Sequence, residues 1–263
     1  MDGGRIAVGG TELSAAVEGR GPPVLFIPGF TLDHRMWDDQ RALADAHRLV
    51  RLDPRGFGRS ALPDGTRYRH ADDAAALLSA LGLGPACVVG HSIGAHQALE
   101  LALEHPDRVS SLVLVCTSGL GGMRFPEEIH DLFAAVKRAA REEGIDAAKA
   151  IWRRGSWFGA ARRRADLGRR LDEILADYSA FHWTHENPVA FADPPPCDRL
   201  EEIGVPTLVV TGEEDLPYNA EVGRVLIARI AGAREVRLPS GHLPSMEAPG
   251  PFNAALRGFL QGA

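Results

Sequence analysis

Short apolar runs, each too brief for a helix, recur along the chain at Val24–Ile27, Leu49–Leu52, Ala86–Val89, Val109–Val115 and Val205–Thr211. Between the first four lie stretches of helical period: the segment through Trp37, Leu43 and Ala44, then Tyr68–Leu81 and Ile93–Glu104. Near-continuous apolar runs of this kind mark strands buried on both faces. Such strands need a mainly parallel sheet with crossover helices packed on either side. Ahead of them, Arg5–Val8 and Thr11–Val17 flank Gly9-Gly10, which predicts a β-hairpin adding antiparallel strands at one edge. Towards the end, a helix over Ala220–Ile230, a strand over Glu235–Leu238 and a helix near Pro251–Leu260 complete the pattern. The expected fold class is α/β.

The alternation stops between Gly119 and Pro196. Helical segments Glu127–Arg141, Asp146–Arg154 and Arg162–Tyr178 take over, and Pro194-Pro195-Pro196 closes them, since three prolines cannot continue a helix. The expected organisation is one core in two parts, residues 1–118 and 197–263, interrupted by a helical insertion over 119–196.

Composition removes several classes of function. A formal net charge of -6 argues against nucleic acid as the main partner. The arginines at 162–164 and 169–170 do not change this, because segment 119–196 carries 12 basic and 12 acidic residues; they read as a solvated helical face. No apolar run approaches the roughly 18 residues of a membrane helix, and Met1–Gly10 has neither the basic nor the apolar part of a signal peptide. Cys87, Cys116 and Cys197 cannot all pair and lack metal-ligand spacing. Arg55-Gly56-Phe57-Gly58-Arg59-Ser60 fits neither a phosphate loop nor a dinucleotide fingerprint and reads as a structural turn. The expectation is a cytoplasmic protein with no membrane partner, no cofactor and no metal.

Gly90-His91-Ser92-Ile93-Gly94 carries the chemistry. This G-x-S-x-G pattern is weak by itself, but it sits where a predicted strand meets a predicted helix, the setting in which a tight turn pushes a serine hydroxyl outward. A serine hydroxyl needs a base, and the base must be oriented. His242, in Ser240-Gly241-His242-Leu243-Pro244, is the only histidine after the last predicted strand. Gly212-Glu213-Glu214-Asp215 follows an earlier strand and offers three carboxylates in the chain order serine, acid, histidine. For the developing oxyanion, the Ile93 amide at a helix start and the Phe30 amide in the Pro28-Gly29-Phe30 loop are the candidate donors. Candidate pocket residues are His91, beside the serine, with Tyr178, Phe181 and Trp183. The aromatic cluster Tyr178, Phe181, His182 and Trp183 either lines a pocket or packs the insertion onto the core.

Together these residues resemble the α/β-hydrolase superfamily. The resemblance rests on Pro28-Gly29-Phe30, on Asp53-Pro54-Arg55-Gly56-Phe57-Gly58-Arg59-Ser60, on Gly90-His91-Ser92-Ile93-Gly94, on Gly212 with Asp215, and on Gly241-His242 followed by Glu247 and Pro249. Relatives usually carry histidine where this chain has Pro28. The family pattern puts the acid three residues beyond the glycine, which selects Asp215 over Glu214, and makes the insertion a cap that sets substrate choice. Serine at position 92 separates the chain from haloalkane dehalogenases and epoxide hydrolases, which use aspartate there. Asp33–Gln40 is similar to small esterases and enol-lactonases. The resemblance implies a serine hydrolase acting on a small ester or lactone. Carbon-carbon bond hydrolysis on the same scaffold, or small-molecule binding with little turnover, are the alternative readings.

Overall fold

A computed structural model describes residues 4–262. Eight strands form one sheet in the order β1-β2-β4-β3-β5-β6-β7-β8. They are β1 (Gly4–Val8), β2 (Thr11–Glu18), β3 (Pro23–Ile27), β4 (Arg48–Asp53), β5 (Ala86–His91), β6 (Val109–Val115), β7 (Thr207–Gly212) and β8 (Arg234–Leu238). Strands β4, β3, β5, β6, β7 and β8 pair in parallel, while β1 and β2 extend the β4 edge antiparallel. The predicted hairpin turns at Gly9 and Gly10, whose φ values of 48° and 84° belong to a type I′ turn and cost glycine little.

The apolar runs divide between two cores because successive strand residues point to opposite faces. Val24 and Phe26 pack on one face with Trp37, Leu49 and Val89. Leu25 and Ile27 pack on the other, against helices His70–Ala80 and Ile93–Glu104. Chain order reverses direction across the sheet at β3 and β5. The carboxyl ends of those two strands therefore border the crevice where open α/β sheets bind ligands.

Three predicted helices differ in form. The segment after β3 is a 3₁₀ helix, His34–Leu43, and four of its five buried residues, His34, Trp37, Gln40 and Leu43, recur every third position, the period of that helix, with Met36 the fifth. The predicted Arg162–Tyr178 helix is split into Gly159–Arg162 and Ala165–Asp177. Arg164 is extended there, φ -112° and ψ 117°, and its guanidinium donates to the Glu247 carbonyl, while Arg163 pairs with Glu214. The helix after β7 starts at Pro217, ahead of the predicted Ala220, with proline in the first turn where its missing N–H costs nothing.

Arg55–Ser60 is a turn held from inside. Asp53 accepts from the amides of His34 (2.7 Å) and Arg59 (3.0 Å), so the loops after β3 and β4 are tied at the carboxyl edge of the sheet. Ser60 Oγ donates to the Asp53 carbonyl and accepts from Ser14 N–H. Arg55 makes a buried two-point ion pair with Asp73 at 2.7 and 2.9 Å and lies over the Tyr68 ring. Among the described residues, no helix is long and apolar enough to cross a membrane.

Candidate active site

Ser92 occupies the single step between β5 and the helix Ile93–Glu104, at φ 55° and ψ -118°. A side chain in that region is strained, and such strain persists only where the surroundings impose it. Here they do. A Cβ at Gly94 would stand 2.5 Å from the carbonyl oxygens of Ile27 and Pro28, and one at Gly90 would lie 2.6 Å from the Ala95 Cα. The glycines let β5, the helix and the loop after β3 converge, while Ser92 N–H donates to the Val115 carbonyl at 2.9 Å.

His242 follows β8, and its Nδ1 lies 3.0 Å from both carboxylate oxygens of Asp215. An Nδ1–H donated to that carboxylate leaves Nε2 with its lone pair, able to take a proton. Asp215 also accepts from Leu216 N–H at 2.7 Å and from the Asn219 amide at 2.9 Å. Burial alone would push the Asp215 carboxyl up, but the His242 charge and hydrogen bond, joined by those from Asn219 and Leu216, hold it below the usual carboxylate range. Of the three carboxylates in the loop, only Asp215 meets His242; Glu214 pairs with Arg163, and Glu213 is exposed.

Two further groups fix the His242 backbone. His91 Nε2 lies 2.7 Å from the His242 carbonyl oxygen and donates to it, while Glu247 accepts from Gly241 N–H. Burial, then the neighbouring His242, pushes the His91 imidazole down to about 3, so it is neutral and suited to this hydrogen bond. Sequence reasoning missed Asn219; the only available signal was its position one helical turn beyond Asp215.

The Phe30 and Ile93 amides find no acceptor among the described residues. A Cβ at Gly29 would reach within 2.5 Å of His91 Nδ1 and 3.3 Å of Ser92 Cβ, so only glycine lets this loop approach the serine. The next residue, Thr31, has φ 66°. Its hydroxyl donates to the Phe30 carbonyl at 2.6 Å and accepts from Trp152 Nε1–H at 2.8 Å.

Ser92 and His242 open onto a cavity of about 240 Å³ walled by Phe30, Phe57, Phe125, Phe133, Trp152 and Trp157. That is below the roughly 300–1,000 Å³ of drug-sized ligand sites. His91 borders it as expected. Tyr178, Phe181 and Trp183 do not, which corrects their assignment as pocket residues. Tyr178 stacks on Phe57 with ring centroids 6.0 Å apart, Trp183 meets Tyr178 edge-on at 4.9 Å, and Phe181 stacks on His185 at 4.9 Å. They pack the insertion together behind the wall, and His182, from the same run, is the member that reaches the cavity.

Among the described residues, two clusters have the donor types for a metal ion: Cys116 with Asp215 and His242, and Asp33 with His34 and Asp53. In both, the carboxylates are already engaged by donors of the protein. Asp215 takes His242, Asn219 and Leu216, Asp33 takes Arg35, and Asp53 takes His34 and Arg59. They fit internal hydrogen bonding better than ion ligation.

A serine on a strained strand-helix turn, sharing a cavity with a histidine held by a carboxylate at the carboxyl edge of a mainly parallel sheet, is the arrangement expected of an α/β-fold hydrolase. Residues 22–249 match the family with the alpha/beta hydrolase fold, and the chain belongs to it. A protein of Azorhizobium caulinodans bearing the provisional name carbamate hydrolase RutD is 29% identical over 95% of this chain and 96% of its own. The 2-hydroxy-6-oxo-6-(2'-aminophenyl)hexa-2,4-dienoic acid hydrolase of Metapseudomonas resinovorans is 28% identical over 97% of this chain and 89% of its own. Among solved structures, the enol-lactonase from Burkholderia xenovorans LB400 superposes with a TM-score of 0.81 at 27% identity, covering 98% of this chain and all of that one.

Proposed function

We propose that the protein is a cofactor-independent serine hydrolase that cleaves a small carboxylic ester or lactone through an acyl-enzyme on Ser92. In this reading Ser92 Oγ attacks the carbonyl carbon while His242 Nε2 takes its proton, and the Ile93 and Phe30 amides receive the oxyanion. His242 then gives the proton to the departing oxygen. Asp215 holds the tautomer and offsets the imidazolium charge. A water deprotonated by His242 attacks the acyl carbon, and its proton returns to Ser92 as the acid leaves. The observation that carries the reading is the Nδ1 contact of His242 with both oxygens of Asp215, beside a strained Ser92 on the same cavity. The enol-lactonase likeness supports an acyl bond of this type.

Residues 119–196 act as a cap over a core formed by 1–118 and 197–263; Phe125, Phe133, Trp152 and Trp157 in the cavity wall support this division. Three unpaired cysteines fit a reducing compartment such as the cytoplasm. The test is hydrolysis of short p-nitrophenyl esters and a lactone panel by the native chain and Ser92→Ala. Loss of turnover in the variant is expected; equal rates would overturn the proposal. The dienoic acid hydrolase relative favours one second reading, carbon-carbon hydrolysis of a vinylogous diketone. Turnover of such a diketone without ester turnover would select it.

A further inference from the structure

The cavity has a second chemical character away from the Ser92–His242 pair. Beside the apolar wall, His70, Gln97, Ser118, His182 and Asn187 border it. Gln97 is 4% exposed, on the second turn of the helix that Ser92 precedes, and its amide has no partner among the described residues. Asn187 Oδ1 is occupied by Tyr68 Oη–H at 3.1 Å and Val189 N–H at 3.4 Å, which leaves its NH₂ as a free donor. The ring of His70 lies 5.1 Å from that of the same tyrosine, and Phe57 separates it from His182. With no protein partner, the Gln97 amide is open to a group bound in the cavity.

No Asp, Glu, Lys or Arg among the described residues borders this cavity. The Arg55 guanidinium, beside Tyr68, is closed off by its two-point pair with Asp73 and its place over the Tyr68 ring. Burial pushes His70 down to about 3 and His182 to about 4, so both imidazoles are neutral near pH 7, and the Nδ1 of His182 is already taken by Tyr178 Oη at 2.9 Å. A carboxylate brought here would lose its water and find no cation in exchange. A neutral carbonyl or amide would find the donors of Asn187 and Gln97.

Resting on the serine-hydrolase reading, we infer that the substrate is an uncharged ester or lactone with an aromatic or alicyclic body and a neutral hydrogen-bonding group seated on Gln97 and Asn187. A carboxylate at that end is rejected. The test uses matched p-nitrophenyl esters of phenylacetic, 4-carbamoylphenylacetic and 4-carboxyphenylacetic acids, with kcat/KM measured for the full chain. The carbamoyl ester is expected to exceed the carboxylate by about 100-fold or more at pH 7.5. Asn187→Leu and Gln97→Leu are expected to lower the carbamoyl-to-phenyl ratio about tenfold. Gln97→Arg is expected to raise the carboxylate-to-phenyl ratio. Because each readout is a ratio within one protein, partial misfolding does not imitate it. Labelling of Ser92 by an organophosphonate is recorded in parallel. Ser92 labelled with carbamoyl and carboxylate esters turned over equally would overturn this inference and leave the hydrolase reading standing. Ser92 unlabelled, with no ester turned over, would overturn both.

Discussion

Thr31 holds a β-branched side chain at φ 66°, a conformation that only its surroundings can sustain. Its hydroxyl bridges Trp152 of the insertion to the Phe30 carbonyl, so the insertion and the loop carrying the Phe30 amide share one hydrogen-bond chain. Thr31 is thus a positioning residue for that loop. Thr31→Val removes the bridge at nearly constant shape and is expected to lower kcat about tenfold with little change in KM. Thr31→Ser is expected to restore most of it; a serine variant as slow as the valine one would refute the bridge. Asp215 is the second residue where detail decides. Asp215→Asn is expected to cut kcat by about 10³ to 10⁴, because the amide no longer fixes the Nδ1–H tautomer, measured as initial rates on an ester that the native chain turns over. The places of Ser92, Asp215 and His242, the proposed triad, were readable from motif order, since each follows a strand at the same sheet edge. Asn219 and Thr31 were not, because their roles depend on contacts between segments that no local pattern links.

At the scale of elements, the turn around Ser92 is held by backbone meeting backbone. Carbonyl oxygens cannot rotate away from a new methyl, so Gly94→Ala is expected to destabilise the chain by about 1–3 kcal/mol. Denaturant unfolding checks this, and an unchanged midpoint would contradict it. The strands were legible because burial on both faces leaves unbroken apolar runs, as in Val24–Ile27. Helix type after β3 was less so: Trp37, Leu43 and Ala44 suggested a helix, but the burial of His34, Trp37, Gln40 and Leu43 has a period of three. Gln40 adds a tertiary reason, its amide binding the Ser245 carbonyl at 3.1 Å and Asn253 at 3.0 Å. The break before Ala165 was hidden for the same kind of reason, since Arg163 and Arg164 answer to Glu214 and Glu247, far along the chain. Composition could not separate wall from packing in the aromatic run 178–183, where orientation alone sets His182 apart from Tyr178, Phe181 and Trp183.

Over the whole molecule, three buried histidines contribute to the response to acid. His70 and His91 are pushed down to about 3 and His182 to about 4, chiefly by burial, against 6.5 for the free side chain. Below 6.5 the unfolded chain binds protons that the folded chain refuses, so their contribution is complete above that pH and declines as the pH falls. Each costs about 1.4 kcal/mol per pH unit well below 6.5. Thermal melts are expected to be flat from pH 8 to 7 and to drop steadily between about pH 6.5 and 4; a melting temperature that rises across that window would contradict the assignment. The sheet order joins this stability to function. The reversal at β3 and β5 brings the Phe30 loop and Ser92 to one edge, and Phe125, Phe133, Trp152 and Trp157 line the cavity there. The proposed function makes all of it converge on one nucleophile, Ser92. The most direct measurement is the intact mass of the protein after treatment with an organophosphonate ester, with the modified peptide mapped. The account predicts a single adduct, located on Ser92, absent from Ser92→Ala and strongly slowed in His242→Ala. An unmodified Ser92, or equal labelling of the native and Ser92→Ala proteins, would contradict it.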